Sequence, residues 1–250
     1  MPSIKQIINK LTTKKRSVYR GSFDSYQEAF NNAKSSQTYG DQQYDKRSLL
    51  SINFDEPFTQ GRNMLIPFLL SLLYSSKKTT ILDFGGGVNS IFSHLSTEQR
   101  KHISCFIIER EELVDDLNQL INEKEIQNLY YKKSIDGIGT IDIAYFGSSI
   151  QYVKNYEELL DQISSLKPEF IVFSESIFTK RNFDFYVIQT NMKNNEFPNC
   201  FISEEKITAI MENKGYKCIF SKAIDNKGHK HETINQSEYD CKTLIFRLTT

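Results

Sequence analysis

From residue 78 onward, short apolar runs alternate with longer stretches in which apolar residues recur every three or four positions. The short runs predict strands, and the longer stretches predict amphipathic helices. Strands that alternate with helices favour a mostly parallel sheet with helices on both faces. The predicted strands lie at 80–84, 103–109, 128–133, 142–147 and 170–175, and the predicted helices at 111–123, 156–166 and between 203 and 215, with a short helix near residue 90.

The end of the chain has a different pattern. Two further apolar runs, at 216–222 and 243–248, have no helical stretch between them. A polar loop that contains His229 and His231 joins them. Two consecutive strands without a helix between them predict an antiparallel pair at one edge of the sheet. The pattern therefore predicts an α/β fold, in which a mostly parallel, seven-stranded sheet ends in a C-terminal antiparallel hairpin.

The first 76 residues show helical patterns, and we expect an N-terminal helical extension and cap on a domain formed by residues 77–250. Helices are predicted at 25–33 and 63–75. The first twenty residues contain no acidic residue, and their apolar residues fall at helical spacing. A basic amphipathic helix of this kind can make weak contact with an anionic membrane surface; the alternative is an arm packed on the domain. The basic residues are Lys5, Lys10, Lys14, Lys15, Arg16 and Arg20.

Composition excludes several classes of protein. The 31 basic and 31 acidic residues balance, so the broad basic excess of a nucleic-acid-binding protein is absent. The longest apolar run, at 64–74, is far shorter than the ~20 residues of a membrane-spanning helix, so we expect no integral membrane segment. The four cysteines form no C-x-x-C pair, and no histidine cluster has metal-ligand spacing. We therefore expect a cytoplasmic protein without a secretory signal, a metal site or a disulfide framework.

Three consecutive glycines, Gly85 to Gly87, follow the first strand of the predicted sheet. Ligands of open α/β sheets bind outside the carboxyl ends of the strands, where the strand order reverses. Residues without a β-carbon let a ligand approach the backbone closely there. The alternative is a plain tight turn, for which one glycine would suffice.

The loop does not match the common nucleotide-binding motifs. A nicotinamide-binding G-x-G-x-x-G motif would need a third glycine where this chain has Ser90, and a phosphate-binding P-loop would need a lysine. Asp83, just before the glycines, would repel a pyrophosphate and suits a cationic ligand. Glu109 ends the second strand, where a carboxylate can accept hydrogen bonds from both hydroxyls of a ribose; the alternative is a solvated charge at a strand end.

These features resemble a class I S-adenosylmethionine-dependent methyltransferase: D-F-G-G-G after the first strand, an acidic residue after the second, and a closing antiparallel hairpin. Several stretches are similar, in order and spacing, to a family of methyltransferases encoded among surface-polysaccharide genes. The chain departs from that family in having no tryptophan and in reading "SESIFTKRNFD" where an Asp-Arg pair is more usual. The similar stretches are "SYQEAF" followed by "YG", "ILDFGGG", "GSSIQYV", "FIVFSES", "VIQTN" and "FPNCFISEEKITAIMENKGYKC".

The resemblance implies a Rossmann-like fold and S-adenosylmethionine as the cofactor. It implies that Gly147, Ser148 and Ser149 line the methionine arm and that Gln151 and Tyr152 lie beside the transferred methyl group. The alternative for the last two residues is a capped and packed first helical turn. The resemblance also implies that Ser134 and Ile135 edge the adenine pocket.

Transfer of a methyl group to a hydroxyl benefits from a general base. The candidates are His94, His229, His231 and Glu175. The resemblance implies O-methylation of a sugar or sugar-nucleotide precursor of a surface polysaccharide, such as capsule or lipopolysaccharide. Two alternatives stay open: a methyltransferase-fold binding or partner protein without catalysis, and a nicotinamide-dependent enzyme.

Overall fold

The structure is a computed structural model that describes residues 17–34, 65–72, 78–87, 90–192, 195–224 and 230–249. The strands in these ranges are β1 (Tyr19–Phe23), β2 (Thr79–Phe84), β3 (Ile103–Ile108), β4 (Leu129–Lys132), β5 (Ile143–Gly147), β6 (Phe170–Thr179), β7 (Phe185–Met192), β8 (Asn195–Ser203), β9 (Tyr216–Ile224) and β10 (Tyr239–Leu248). The helices are α1 (Tyr26–Asn32), α2 (Leu65–Leu72), α3 (Thr97–Lys101), α4 (Glu111–Glu123), α5 (Tyr156–Ser165) and α6 (Glu204–Asn213).

Seven of the strands form the predicted sheet. Strands β4, β3, β2, β5 and β6 lie side by side in this order and are parallel. Strand β10 pairs antiparallel with β6, and β9 pairs antiparallel with β10 at the edge. The mostly parallel Rossmann-like sheet with a C-terminal antiparallel hairpin is therefore confirmed.

The two faces of this sheet are buried against different helices. Alternate residues of a strand point to opposite faces. Ile81 packs with apolar residues of α2 and α4 in one cluster, whereas its neighbour Leu82 packs with residues of α5 and α6 in another. Ile143 belongs to the first of these clusters, and its neighbour Ala144 belongs to the second. The prediction of helices on both faces is correct.

Local signals placed most of these elements accurately. Helix α4 has the predicted bounds, because its buried residues recur at helical spacing: Leu113, Leu117 and Ile121. Helix α6 begins after Ser203, whose hydroxyl accepts a hydrogen bond from the Lys206 N–H at 3.2 Å. The short helix near residue 90 is a 3₁₀ turn at Ile91–His94.

Strands β1, β7 and β8 were not predicted. They form an antiparallel group in the order β1-β7-β8, and β8 joins the main sheet through a short parallel contact with the end of β6. The polar residues around the β7–β8 turn and Pro198 hide the strand pattern in this part of the sequence. Strand β6 also runs four residues beyond its predicted end and carries this contact.

Strands β1, β7 and β8, which we call the added strands, pack around a small apolar cluster of their own. Backbone hydrogen bonds join β1 to the segment before β10: the Tyr19 N–H donates to the Lys230 carbonyl, and the Glu232 N–H donates to the Tyr19 carbonyl. The ring of Phe201 lies at the centre, with the rings of Tyr19 and Tyr239 at 5.1 and 4.9 Å between centroids. The N-terminal segment therefore contributes a strand to this structure as well as the predicted helix α1.

Some predictions fall outside the described residues. They are the basic helix before residue 17, the ends of the predicted helix at 63–75, and His229. In the parts of the chain that the structure describes, no helix is long and apolar enough to cross a membrane. The same parts contain no group of three or more His, Cys, Asp or Glu residues arranged to hold a metal ion.

Candidate active site

The glycine loop, Gly85 to Gly87, leaves the carboxyl end of β2. Gly85 and Gly87 have φ angles of 70° and 56°, which side chains rarely permit. The Gly85 N–H donates to the carbonyl of Ile108 at 2.9 Å, so the loop is joined to the end of β3. A β-carbon on Gly85 would lie 3.0 Å from the β-carbon of Ser149, which comes from the end of β5. The loop is therefore packed between the ends of two neighbouring strands.

Asp83 lies beneath this loop and is only 1% exposed. Its Oδ2 accepts a hydrogen bond from the Ile91 N–H at 2.8 Å, which holds the start of the 3₁₀ turn. A β-carbon on Gly86 would lie 2.6 Å from the Asp83 carboxyl carbon, so only glycine fits above the carboxylate. A buried negative charge at this position favours a cation above the loop.

Tyr131 of β4 also holds the loop. Its hydroxyl donates to the carbonyl of Gly87 at 3.1 Å, and its ring is buried. Tyr131 was not predicted as a site residue. A tyrosine at an inward position near the carboxyl end of a strand was the available signal.

Glu109 follows β3 directly, beside the attachment point of Gly85. Its side chain is 11% exposed, and its Oε1 accepts a hydrogen bond from the Arg110 N–H at 2.9 Å. Glu111, two residues on, has a side chain that is 75% exposed and pairs with Lys133 at 2.9 Å. The hydrogen bond from Lys133 lowers the pKa of Glu111. The structure therefore places Glu109, not Glu111, next to the glycine loop.

The turn after β4 carries Ser134 and Ile135. The Ser134 hydroxyl donates to the Asp136 carboxylate at 2.8 Å, and the Asp136 N–H donates back to that hydroxyl at 3.2 Å. Ile135 is partly buried against the apolar cluster that contains α5. The turn is closed on itself and presents Ile135 toward the sheet.

The end of β5 is tied to the end of β6. Gly147 lies opposite Ser174, and Ser148 adopts a φ of 55°. The Ser148 N–H donates to the Ser174 carbonyl at 2.8 Å, and its hydroxyl donates to the Glu175 carbonyl at 2.9 Å. These bonds hold a conformation that is unfavourable for a residue with a side chain.

Two enclosed oxygens follow in the same segment. The Ser149 hydroxyl and the Gln151 Oε1 have no accessible surface and no hydrogen-bond partner among the residues that the structure describes. A buried oxygen without a partner is costly and points to a missing ligand or water. Both residues were predicted to contact the cofactor, and Ser149 lies against Gly85 of the glycine loop.

Tyr152 ends this segment and meets the added strands. Its hydroxyl donates to Gln189 Oε1 of β7 at 3.0 Å, and the Asn199 Nδ2 of β8 donates to the same oxygen at 3.0 Å. The Tyr152 ring packs edge-on against Phe197 at 5.7 Å. Gln189 and Asn199 are buried and were missed as site residues. Their signal in the sequence is an amide inside an otherwise apolar strand, in "VIQTN" and "FPNCFIS".

Glu175 lies at a bulge of β6 and has a φ of 50°. Two residues of β6, Ser174 and Glu175, lie opposite the single residue Thr243 of β10. The Glu175 side chain is partly exposed. Burial, with the charges of Glu175 and Asp240, raises the pKa of the Cys241 thiol to about 12.

His231 has both ring nitrogens in contact with backbone. Its Nε2 lies 2.7 Å from the carbonyl of Gly21, and its Nδ1 accepts hydrogen bonds from the Thr233 N–H at 3.1 Å and the Ile234 N–H at 3.0 Å. Burial lowers the pKa of His231. These contacts anchor the segment before β10 against β1, and none of them involves the glycine loop. His94 is buried at the end of the 3₁₀ turn.

A separate cavity of about 680 Å³ opens between the start of α5 and the β6–β7 turn. Its polar centre is Asp184, which accepts hydrogen bonds from the Tyr156 hydroxyl, the Ser203 N–H and the Lys206 ammonium, each at 2.7 Å. These bonds join α5, α6 and β7. We assign this cluster a structural role.

The carboxyl ends of parallel strands meet at one edge of the sheet. The glycine loop, Glu109, the segment from Ser148 to Tyr152 and Glu175 therefore share that edge, in the order of their strands. Glycine backbone and two carboxylates lie at one end of the edge. The hydrogen-bonded side chains of Tyr152, Gln189 and Asn199 lie at the other end, together with the bulge at Glu175.

No protein-family model matches this sequence, and no curated protein sequence matches it. Solved structures do match it. A coclaurine N-methyltransferase bound to N-methylheliamine and SAH (S-adenosylhomocysteine) aligns over 89% of this chain and 86% of its own, with a TM-score of 0.55 and 11% identity. The N-terminal domain of EvdMO1, solved with SAH and D-fucose, aligns over 82% and 95%, with a TM-score of 0.52 and 12% identity.

An S-adenosylmethionine-dependent methyltransferase from Clostridium acetobutylicum aligns over 83% of this chain and 96% of its own, with a TM-score of 0.51 and 10% identity. The chain has the methyltransferase fold. Likenesses at this level of identity establish the fold and leave the activity to the site itself.

Proposed function

We propose that this protein is an S-adenosylmethionine-dependent methyltransferase whose cofactor site is the glycine loop. The main observation is the loop itself, in which only glycine fits over the Asp83 carboxylate. A cationic cofactor suits this buried charge. In this proposal Glu109, at the end of the neighbouring strand, accepts hydrogen bonds from the ribose. The remaining cofactor contacts in this proposal are Ser134, Ile135, Gly147, Ser148, Ser149 and Gln151.

The residues present fit that cofactor in two respects. Gly85 and Gly86 are packed against Ser149 and Asp83, where a β-carbon would collide, so the loop presents backbone alone to a ligand. The enclosed oxygens of Ser149 and Gln151 also lack partners among the described residues, and a ligand with hydrogen-bond donors would satisfy them. When bound, S-adenosylmethionine supplies a methyl group on a sulfonium and leaves as a neutral thioether.

For the acceptor, we propose a hydroxyl of a sugar or of an activated precursor of a surface polysaccharide, modified in the cytoplasm. The balanced charge of the chain is unfavourable for nucleic-acid binding. Two of the structures with this fold were solved with small molecules, D-fucose and N-methylheliamine. The choice of a sugar comes from the family resemblance of the sequence.

In this proposal the chain itself has two tasks, to align the acceptor and to remove its proton. Glu175 is our candidate general base among the described residues, since its carboxylate is partly exposed at the carboxyl end of β6. His231 has both nitrogens occupied by backbone. His229 remains a predicted alternative outside the described residues.

The test begins with calorimetric titration of the purified protein with S-adenosylmethionine, SAH and NAD. We expect the first two to bind and NAD not to bind. Cofactor with a labelled methyl group is then incubated with sugar nucleotides of capsule and lipopolysaccharide synthesis, and separately with RNA and protein. Label in a sugar supports the proposal, and label only in RNA or protein contradicts the substrate class.

The same experiment separates the enzyme from a binding protein of the same fold. Such a protein would bind SAH but would transfer no label to any member of the panel. Preferential binding of NAD would contradict the cofactor assignment altogether.

A further inference from the structure

The bulge of β6 decides which way Glu175 faces. In a regular strand, Glu175 would share a face with Ile171 and Phe173, which are buried against α5 and α6. The extra residue opposite Thr243 reverses the alternation, so that Glu175 shares a face with Ile177. Ile177 belongs to the apolar cluster of the added strands. Glu175 therefore points to the side of the sheet on which β7 and β8 present Gln189 and Asn199.

The hydrogen bonds among Tyr152, Gln189 and Asn199 all point toward one atom. Asn199 and Tyr152 both donate to Gln189 Oε1, which leaves the Asn199 Oδ1 as the outer atom of this group. This oxygen is buried and has no partner within the described part of the chain.

The polar groups near Tyr152 that can still form hydrogen bonds are therefore all acceptors. The Asn199 Oδ1 and the Glu175 carboxylate both accept hydrogen bonds. Among the described residues, Glu175 takes part in no ion pair, and the arginines of β1 and of the β6–β7 turn have partners of their own: Arg20 pairs with Glu196 at 2.6 Å and Arg181 with Glu238 at 2.9 Å. A ligand at this place must bring donors, and an anionic group is disfavoured.

We infer that the β6 bulge and the β7–β8 hairpin form an acceptor subsite, lined by Glu175, Tyr152, Gln189 and Asn199, that takes a neutral, hydroxyl-bearing group. This inference rests on the proposed methyltransferase function. If the acceptor is a sugar nucleotide, its phosphates lie outside this subsite.

The test uses SAH-bound protein and a panel of neutral methyl hexopyranosides, with glucuronate and inorganic phosphate as anionic probes. Binding is measured by saturation-transfer NMR at high millimolar probe concentration. We expect at least one neutral glycoside to bind and the anionic probes not to bind. Binding of only the anionic probes, or of none of the probes, would overturn the inference.

Variants locate the binding. Glu175→Gln and Tyr152→Phe should each weaken the glycoside about tenfold, since each removes one polar contact while keeping the shape of the side chain. Glu205→Gln and Asn213→Asp, on the exposed side of α6, are the matched controls and should bind normally. Unchanged affinity in both subsite variants would contradict the location.

The SAH titration keeps this inference separate from the proposed function. Normal SAH binding without glycoside binding would refute the subsite and leave the cofactor site intact. Glycoside binding that the subsite variants weaken, in a protein that does not bind SAH, would refute the cofactor assignment instead.

Discussion

The two ends of the sheet edge are built by different means. At the glycine loop, backbone sets the shape, and the two carboxylates are held by nearby N–H groups, Asp83 by Ile91 and Glu109 by Arg110. At the other end, side chains far apart in the sequence hold each other, as Tyr152 and Gln189 do. Substitutions that add bulk should therefore have the largest effects at the glycine loop. Substitutions that remove one polar group should have the largest effects at the other end.

The largest effect is expected from Gly86→Val. The new side chain would collide with the Asp83 carboxylate, so calorimetry should detect no binding of S-adenosylmethionine or SAH. Circular dichroism should show that the sheet is retained. Gly139→Val is the matched control, because a β-carbon there meets nothing within 4 Å. Undiminished affinity in a folded Gly86→Val protein would contradict the placement of the cofactor.

Replacement of Glu175 tests the other end. If Glu175 is the base, Glu175→Gln should lower kcat by about 10²- to 10⁴-fold while SAH affinity is unchanged. Glu175→Gly should be equally inactive but at least as stable to heat, since glycine adopts the left-handed conformation without strain. A Gln variant with full turnover would remove Glu175 as the base and favour His229.

A smaller loss is expected at Glu109. Glu109→Ala should weaken cofactor binding by about ten- to a hundredfold, equivalent to ~1.5–3 kcal/mol for lost charge-assisted hydrogen bonds. Glu111→Ala should bind normally, because the Glu111 side chain is exposed and paired with Lys133. The opposite result in calorimetry would show that the ribose contact lies two residues further on, at Glu111.

The smallest effect concerns stability. His231→Asn removes backbone hydrogen bonds from the segment before β10 and should lower the free energy of unfolding by about 1–3 kcal/mol. Because burial lowers the pKa of His231, the unfolded chain takes up a proton first as the pH falls. Wild-type stability should thus decrease below about pH 6.5, and the variant should lose part of this dependence.

Denaturant titrations from pH 8 to pH 5 would measure both effects, with turnover per folded molecule as the second readout. Turnover should be unchanged in His231→Asn if this histidine only anchors the segment. A loss of turnover without a loss of stability would restore His231 as a candidate base.

Local pattern was enough for the main sheet and for the cofactor end of the candidate site. The alternation around Ile81, the helical spacing of Leu113, Leu117 and Ile121, and the glycines after Asp83 each act over a few residues, so they can be recognised without the fold. Their consequence, a glycine loop at the carboxyl end of the first parallel strand, follows from the general rule for such sheets.

The acceptor end depended on the tertiary structure. A bulge turns Glu175 away from the face that its sequence position predicts, and that bulge arises from the pairing of β6 with β10. Gln189 and Asn199 become partners only when β7 and β8 pair, and His231 becomes a backbone anchor only because β1 lies beside it. Contacts between residues that are distant in sequence are set by the whole packed structure, and no local periodicity encodes them.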